Sequence, residues 1–202
     1  MYLVDKTLVE YIDAVDSDMP APGGGSVASL VGALGVSLAK MSAHFSVTKR
    51  KFKEADKRKQ DKFVLAFKEL DYYKDLLIKG IDDDAISYET VAQALKSKDN
   101  ESIQKALKVS TIVAFDMQQA AHKALIYTEK LIELGNKYLY SDLISAAILL
   151  VSCVEMASLN VIANASSIKD EQVKNDYLTK SNKFILNSKN IKRKIIRSIN
   201  SK

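Results

Sequence analysis

One stretch of the sequence, PAPGGGSVASLVGALG, combines residues that expose backbone with a predicted helix start. Gly23, Gly24 and Gly25 directly precede Ser26, which can cap a helix. Ordering such glycines costs roughly 0.5 to 1 kcal/mol each relative to alanine. Backbone N–H groups at a helix start can hold a carboxylate, phosphate or carbonyl oxygen. From the residues alone, a ligand cradle and a simple turn both remain open.

A carboxyl group in the middle of the chain is placed where it could move a proton. In DDDAISYETVAQAL, Asp84 shares a helix face with Tyr88 and Val91, so it marks the polar end of an apolar stripe. A carboxylate partly removed from water has a raised pKa. The alternative is that residues 82–84 form the acidic cluster of a helix N-terminus, which the helix dipole favours.

Two asparagines stand out in a strongly apolar segment near residue 160. Asn160 and Asn164 are four residues apart and therefore lie on one helix face. Asparagine is a poor helix former, and buried amides need polar partners. The pattern predicts two buried amides that bind other side chains or a polar ligand. Asp142, at the start of the same segment, could serve only as an N-cap.

Composition limits the class of protein to which these residues belong. The chain has 202 residues, of which 47% are hydrophobic and 27% charged, as in globular proteins. Its single cysteine, Cys153, excludes a disulfide framework within one chain, which predicts a reducing, cytoplasmic location. The first fifteen residues include acidic ones and do not resemble a secretory signal. His44 and His122 have no partner at metal-ligand spacing.

Charge and hydropathy argue against nucleic-acid and membrane roles. The net charge of +5 comes mainly from lysine, with four arginines, whereas nucleic-acid readers favour arginine. Residues 27–45 are long enough to span a bilayer, but they are small rather than strongly apolar and are interrupted by Lys40. We therefore expect no nucleic-acid partner and no membrane partner. The basic run 49–59 is by default a solvated surface that could meet an anion.

The elements that position these residues are predicted to be helices throughout. Apolar residues recur at helical spacing, and the chain has two prolines and seven glycines. We predict an all-α, multihelical up-and-down bundle of about five to seven helices in a single domain over 1–202. The predicted helices cover about 3–15, 26–46, 52–96 (whole or broken near Gly80), 100–134, 141–168, and from 170 onward.

The segments quoted above, with SDLISAAILL and ASLNVIANASSIKD, resemble the cyclodeaminase and cyclohydrolase family of folate enzymes. The resemblance covers nearly the whole chain in the same order. It implies a homodimer or higher oligomer, with a tetrahydrofolate derivative bound as substrate near the glycine turn and the subunit interface. The reactions it implies are formiminotetrahydrofolate cyclodeamination or methenyltetrahydrofolate hydrolysis, which need no metal and no redox cofactor.

The resemblance also assigns roles to the residues singled out above. Asp84 and Asp142 become the catalytic carboxylates, one as general acid or base and the other orienting the substrate. The expected substrate-binding residues are Gly23, Gly24, Gly25, Ser26, Tyr88, Asn160, Asn164, Lys49 and Lys51, the two lysines for the glutamate tail of folate.

Two other interpretations belong to different functional classes. A non-catalytic helical oligomer would use the glycines only as a turn. A nucleic-acid-binding bundle would use the basic carboxy-terminal segment KNIKRKIIRSINSK.

Overall fold

Seven α-helices and two short 3₁₀ turns make up most of residues 2–201, the part of the chain described by the computed structural model. The all-α prediction is confirmed, and no strand occurs within residues 2–201. The helices are α1 (Leu8–Val15), α2 (Gly24–Val47), α3 (Arg50–Lys53), α4 (Lys57–Ser97), α5 (Asn100–Lys130), α6 (Tyr140–Ser166) and α7 (Glu171–Asn200). The 3₁₀ turns are Leu3–Asp5 and Lys137–Leu139.

The five long helices run up and down and share one apolar core. Helix α2 lies between α4 and α6, α5 packs on α4 and α6, and α7 packs on α5 and α6. Fully buried side chains from four of these helices meet in the core, among them Val36, Leu70, Leu125 and Leu150. Burying apolar surface in this way supplies the main stabilisation of the bundle. The single-domain prediction for 1–202 itself stays a prediction.

The chain before α2 departs from the predicted first helix over 3–15. Thr7 and Glu10 form a reciprocal capping box, so a new helix starts at Leu8 after the short Leu3–Asp5 turn. Its apolar residues Leu8 and Ile12 are exposed, by 68% and 54%. Tyr11 is the buried residue of α1.

Two glycine positions bear on helix boundaries: the start of α2 differs from prediction, whereas α4 is whole at Gly80, which is one of the two predicted alternatives. Helix α2 begins at Gly24 rather than Ser26, with Gly23 as its N-cap and no side-chain cap. Gly80 does not break α4, because its missing side chain lets the helix pass against Ser29 and Met117. The aspartates 82–84 consequently lie inside a 41-residue helix and not at a helix N-terminus.

The α5 to α6 connection is the other region of disagreement. Helix α5 ends at Lys130, before the predicted stop near 134. Asn136 then accepts a hydrogen bond from Tyr138 N–H and starts the second 3₁₀ turn, which places the N-cap of α6 at Leu139. Asp142 lies in the first turn of α6 rather than at its cap. The four-residue helix α3 was not predicted.

Two helices satisfy the length and composition requirement for crossing a membrane. These are α2 and the segment Lys137–Ser166. Their most apolar stretches are 61% and 50% buried inside the bundle, since both are central helices of the core. Core packing explains the apolar residues on the side of each helix that faces the interior of the bundle.

Candidate active site

The glycine turn brings the start of α2 against α4. A side chain at Gly25 would overlap the Asp84 carboxyl group, whereas one at Gly24 would meet nothing within 4 Å. Gly25 is therefore required by close packing, whereas Gly24 is exposed, ahead of the buried Gly25 and Ser26. Of the three consecutive glycines, Gly25 has a packing explanation and Gly24 has none.

Asp84 is anchored at this contact by main chain rather than by a cation. Its Oδ2 accepts a hydrogen bond of 2.9 Å from Ser26 N–H. Burial raises the pKa of the Asp84 carboxyl above its ordinary value, and the bond from Ser26 opposes part of the rise. A carboxyl whose pKa is raised stays protonated to a higher pH than an ordinary aspartate and is a stronger base once ionised.

Tyr11 joins the site from α1. Its hydroxyl lies 2.8 Å from the Ser26 Oγ, and its ring is buried. Burial raises the pKa of Tyr11, and the nearby Asp84 carboxylate raises it further, although the bond to Ser26 opposes both. Sequence reasoning missed Tyr11, because it sits among apolar residues that looked like the buried face of the helix.

A chain of hydrogen bonds links Asp84 to Asn164 across three helices. Ser87 Oγ donates to the Asp84 carbonyl oxygen at 2.9 Å and lies 3.2 Å from Ser110 Oγ. Asn164 Nδ2 donates to Ser110 Oγ at 2.9 Å. Because the Ser87 proton is used on Asp84, Ser110 must donate to Ser87, so every hydroxyl donates once and accepts once. Ser87 and Ser110 carried no signal in the sequence.

Asn160 does not join this chain. Its amide donates to the Met156 carbonyl of its own helix at 3.3 Å. Both Asn160 and Asn164 are partly rather than fully buried, so the prediction of two buried amides was wrong on burial. It was right that Asn164 has a side-chain partner.

A cleft of about 390 Å³ opens beside the glycine turn. It lies between the loop before α2, the amino-terminal turn and one face of α4, and its walls include Tyr2, Pro20, Asp82, Tyr88 and Glu89. Tyr88 is 48% exposed, which leaves ring surface for a ligand. Asp82 accepts a hydrogen bond from Leu3 N–H, which ties the amino-terminal turn to the cleft.

The structure places three predicted residues at the other end of the bundle. Helix α2 is about 36 Å long, from 24 residues at 1.5 Å each, and Lys49 follows its far end. Lys49 and Lys51 are exposed and line a separate cleft of about 750 Å³ together with Tyr138. Asp142 stands 22 residues from Asn164 along α6, which is about 33 Å. Asp84 and Asp142 therefore do not meet within one chain.

Within residues 2–201, no group of three or more His, Cys, Asp or Glu side chains is placed to hold a metal ion. Cys153 is fully buried, and burial raises the pKa of its thiol to about 12, so it stays protonated. The groups near the glycine turn that can carry protons are the carboxyl of Asp84 and the hydroxyls of Ser26 and Tyr11, together with the carboxyls of Asp82 and Glu89 in the cleft.

The sequence model of the family described as formiminotransferase-cyclodeaminase matches residues 7–183. The chain belongs to this family. The matched range includes the glycine turn, Asp84, Asp142 and both asparagines.

Individual relatives of this family match along different shares of their length. The chain is 25% identical to a methenyltetrahydrofolate cyclohydrolase of Methylorubrum extorquens, and the match covers 98% of each. It is 28% identical to the formimidoyltransferase-cyclodeaminase of Gallus gallus, over 86% of this chain. The chain spans only 33% of that longer relative.

A solved structure agrees with the fold. The crystal structure of a formiminotetrahydrofolate cyclodeaminase from Thermotoga maritima superposes with a TM-score of 0.89 at 26% sequence identity. The superposition covers 97% of this chain and 96% of that one.

Proposed function

We propose that the chain is a folate one-carbon enzyme acting at 5,10-methenyltetrahydrofolate, as a formiminotetrahydrofolate cyclodeaminase or a methenyltetrahydrofolate cyclohydrolase. The two activities are those of the relatives that match its whole length. The observation that carries the proposal is the Asp84 carboxyl, which is partly desolvated and held by Ser26 N–H, between Asp82 and Ala85 of the cleft wall in sequence.

Both reactions require proton transfer around a tetrahedral carbon. In cyclodeamination, N10 attacks the formimino carbon, and the outer nitrogen must gain a proton to leave as ammonia. In cyclohydrolysis, water adds to the methenyl carbon and loses a proton, and N5 gains one as the carbon–N5 bond breaks. We assign these transfers to Asp84, because a pKa closer to neutrality makes a more effective acid and base. Neither reaction changes the oxidation state of the carbon, so neither needs a redox cofactor, and we propose that side-chain groups rather than a metal move the protons.

The pterin ring is placed in the cleft beside the glycine turn. Tyr88 offers an exposed ring for stacking. The 2-amino group and N3–H of a pterin are two parallel donors, and a carboxylate such as that of Glu89 can accept a hydrogen bond from each. The first N–H groups of α2, at Gly24 and Gly25, have no partner within the helix and suit a substrate oxygen. The carbonyl oxygen of Asn160 is a further acceptor for the ring.

Asp142, Lys49 and Lys51 enter the site only if a second copy supplies them. We propose a homodimer whose two-fold axis is perpendicular to the long helices, so that opposite ends of the two copies meet. Apolar side chains exposed on α2 and α6 would be covered at this contact: Leu34, Phe45, Ile148, Leu159 and Ile162. Asp142 of one copy would then orient a substrate bound at Asp84 of the other, and the lysines would meet its glutamate tail.

A cytoplasmic location is part of the proposal. It is supported by the chemistry of the single cysteine, since Cys153 is a free, buried thiol and a reducing compartment preserves such groups.

The test offers purified protein 5-formiminotetrahydrofolate and 5,10-methenyltetrahydrofolate in parallel and follows the absorbance of the methenyl form. Growth of that absorbance with the first substrate marks a cyclodeaminase. Its loss with the second, above the spontaneous rate, marks a cyclohydrolase. A protein whose melting temperature rises with folate but which turns over neither substrate would contradict the enzymatic proposal and leave a folate-binding, non-catalytic oligomer.

A further inference from the structure

A groove between α5 and α7 presents donors and cations and no acidic side chain among its lining residues. Its volume is about 490 Å³. The polar residues that line it are His122, Asn187, Asn190, Arg193, Lys194 and Arg197. It is distinct from the glycine turn, since His122 stands 12 residues beyond Ser110 on α5, about 18 Å along the helix.

The spacing along α7 gathers the positive charge on one side. Arg193 and Arg197 are four residues apart and therefore neighbours on the helix surface. Neither arginine forms an ion pair within residues 2–201, and Lys194 beside them also lacks one. Three cations thus share a concave surface without internal neutralisation, which favours an incoming anion.

Existing hydrogen bonds leave donors available to a ligand. Arg193 Nη2 donates to Asn190 Oδ1 at 2.6 Å, which fixes the guanidinium. Because this bond uses the oxygen of the Asn190 amide, its NH₂ group is left to donate to a ligand. On the opposite wall, His122 is 6% exposed, packs on Phe184 and engages Ser188 through Nδ1 at 2.8 Å. Its other nitrogen, Nε2, carries a proton for an anionic ligand in the tautomer in which the Ser188 hydroxyl donates to Nδ1.

We propose that this α5–α7 groove binds a small phosphate-bearing anion. Arginine forks match the oxygen spacing of phosphate and bind it through two parallel hydrogen bonds. Two arginines four residues apart, with an amide and an imidazole across the groove, suit a ligand with at least two negative charges. The proposal is independent of the folate reaction, because none of the groove residues belongs to the glycine-turn site.

The test measures binding of inorganic pyrophosphate by calorimetry at near-physiological salt. We expect wild-type protein to bind and the Arg193→Gln/Arg197→Gln variant to bind at least about tenfold more weakly, since the charge-assisted hydrogen bonds from both guanidinium groups are lost. The matched control is Arg58→Gln/Lys183→Gln, which removes the same charge from exposed positions outside the groove and should bind like wild type. Turnover of folate substrates should be unchanged in both variants.

Several results would overturn the proposal. These are no pyrophosphate binding by wild type up to about 10 mM, or equal weakening in the groove variant and the control. Triglutamate binding as tightly as pyrophosphate would assign the groove to carboxylates instead. A single-stranded RNA that binds through the same arginines, where pyrophosphate does not, would assign it to nucleic acid. Circular dichroism of both variants checks that the fold is intact, and Arg197→Gln alone is the milder replacement if the double variant unfolds.

Discussion

At the scale of single residues, the site depends on one carboxyl and the groups that hold it. Asp84 has a main-chain partner in Ser26, and Ser26 in turn contacts Tyr11. A neutral hydrogen-bond donor lowers the pKa of a carboxyl group less than a salt bridge does. Asp84 therefore retains the raised pKa that burial gives it. This combination of a fixed position and an adjustable protonation state is what acid–base chemistry requires.

Replacing Asp84 by Asn should remove proton transfer while keeping the shape of the side chain. We expect kcat to fall by about 10² to 10⁴-fold, the usual contribution of a general acid or base, with little change in melting temperature. Asp83→Asn is the matched control, because Asp83 is the neighbour of Asp84 in sequence but forms a surface ion pair with Lys79. Full turnover by the Asp84 variant would show that the proton is carried by another group.

The pH dependence of turnover should reveal the same carboxyl. If Asp84 is the base in methenyl hydrolysis, the rate falls on acidification through a pKa above the ordinary 3.8 of aspartate, because burial raises that pKa. If Asp84 is the acid in cyclodeamination, the rate falls as the pH rises through the same pKa. Steady-state pH–rate profiles of wild type and of Asp84→Asn measure this dependence. A rise or fall of the rate with pH that persists in the variant belongs to a different residue.

At the scale of elements, small residues set how closely α2 approaches its neighbours. A side chain at Gly32 would come 2.8 Å from Cys153 Sγ and 3.0 Å from Leu77. One at Gly35 would crowd Leu150 at 3.1 Å. Helix α2 therefore packs closely against α4 and α6, and this packing brings its first turn into contact with Asp84.

Gly25→Ala should disturb this approach at the site itself. The added methyl group overlaps the Asp84 carboxyl, so we expect a loss of about 1 to 3 kcal/mol in the free energy of unfolding and a large loss of kcat. Gly24→Ala on the same turn meets no atom within 4 Å and should leave stability unchanged or slightly raised. Chemical denaturation of both variants measures the difference, and equal stability would disprove the close contact.

At the scale of the whole molecule, the predicted site residues divide between the two ends of one bundle. Gly23 to Ser26, Asp84, Tyr88 and Asn164 lie at one end, whereas Lys49, Lys51 and Asp142 lie about 33 to 36 Å away, from the helix lengths. The proposed two-fold dimer, with its axis perpendicular to the long helices, would bring such ends together, because it pairs each end of one copy with the opposite end of the other.

Mixing two inactive variants tests this arrangement. If Asp84→Asn and Asp142→Asn each lower turnover, their co-expressed heterodimer contains one site with both aspartates and one with neither. Half of randomly formed dimers are mixed, so activity should recover to about 25% of wild type. Size-exclusion chromatography checks that the mixture is dimeric. No recovery above the separate variants would place both aspartates in the same copy or remove Asp142 from the site.

Much of the fold could be predicted because its cause is local. The helical class and the long apolar segments follow from residue spacing and from the scarcity of proline and glycine, which act over a few neighbouring positions. Helix ends were less predictable. The capping box at Thr7 and the start of α2 at Gly24 depend on side-chain and backbone partners that spacing does not specify.

The site itself was only partly predictable. The sequence by itself determined which chemical groups are present: the glycine turn, the carboxyl of Asp84 and the amide of Asn164 all stand out against an apolar background. Only the tertiary structure decided which of them meet. It joined Asp84 to Ser26 and Tyr11, recruited Ser87 and Ser110, and separated Asp142 and the lysines. Those hydrogen bonds join residues 15 to 58 positions apart, and helical periodicity carries no information at that range.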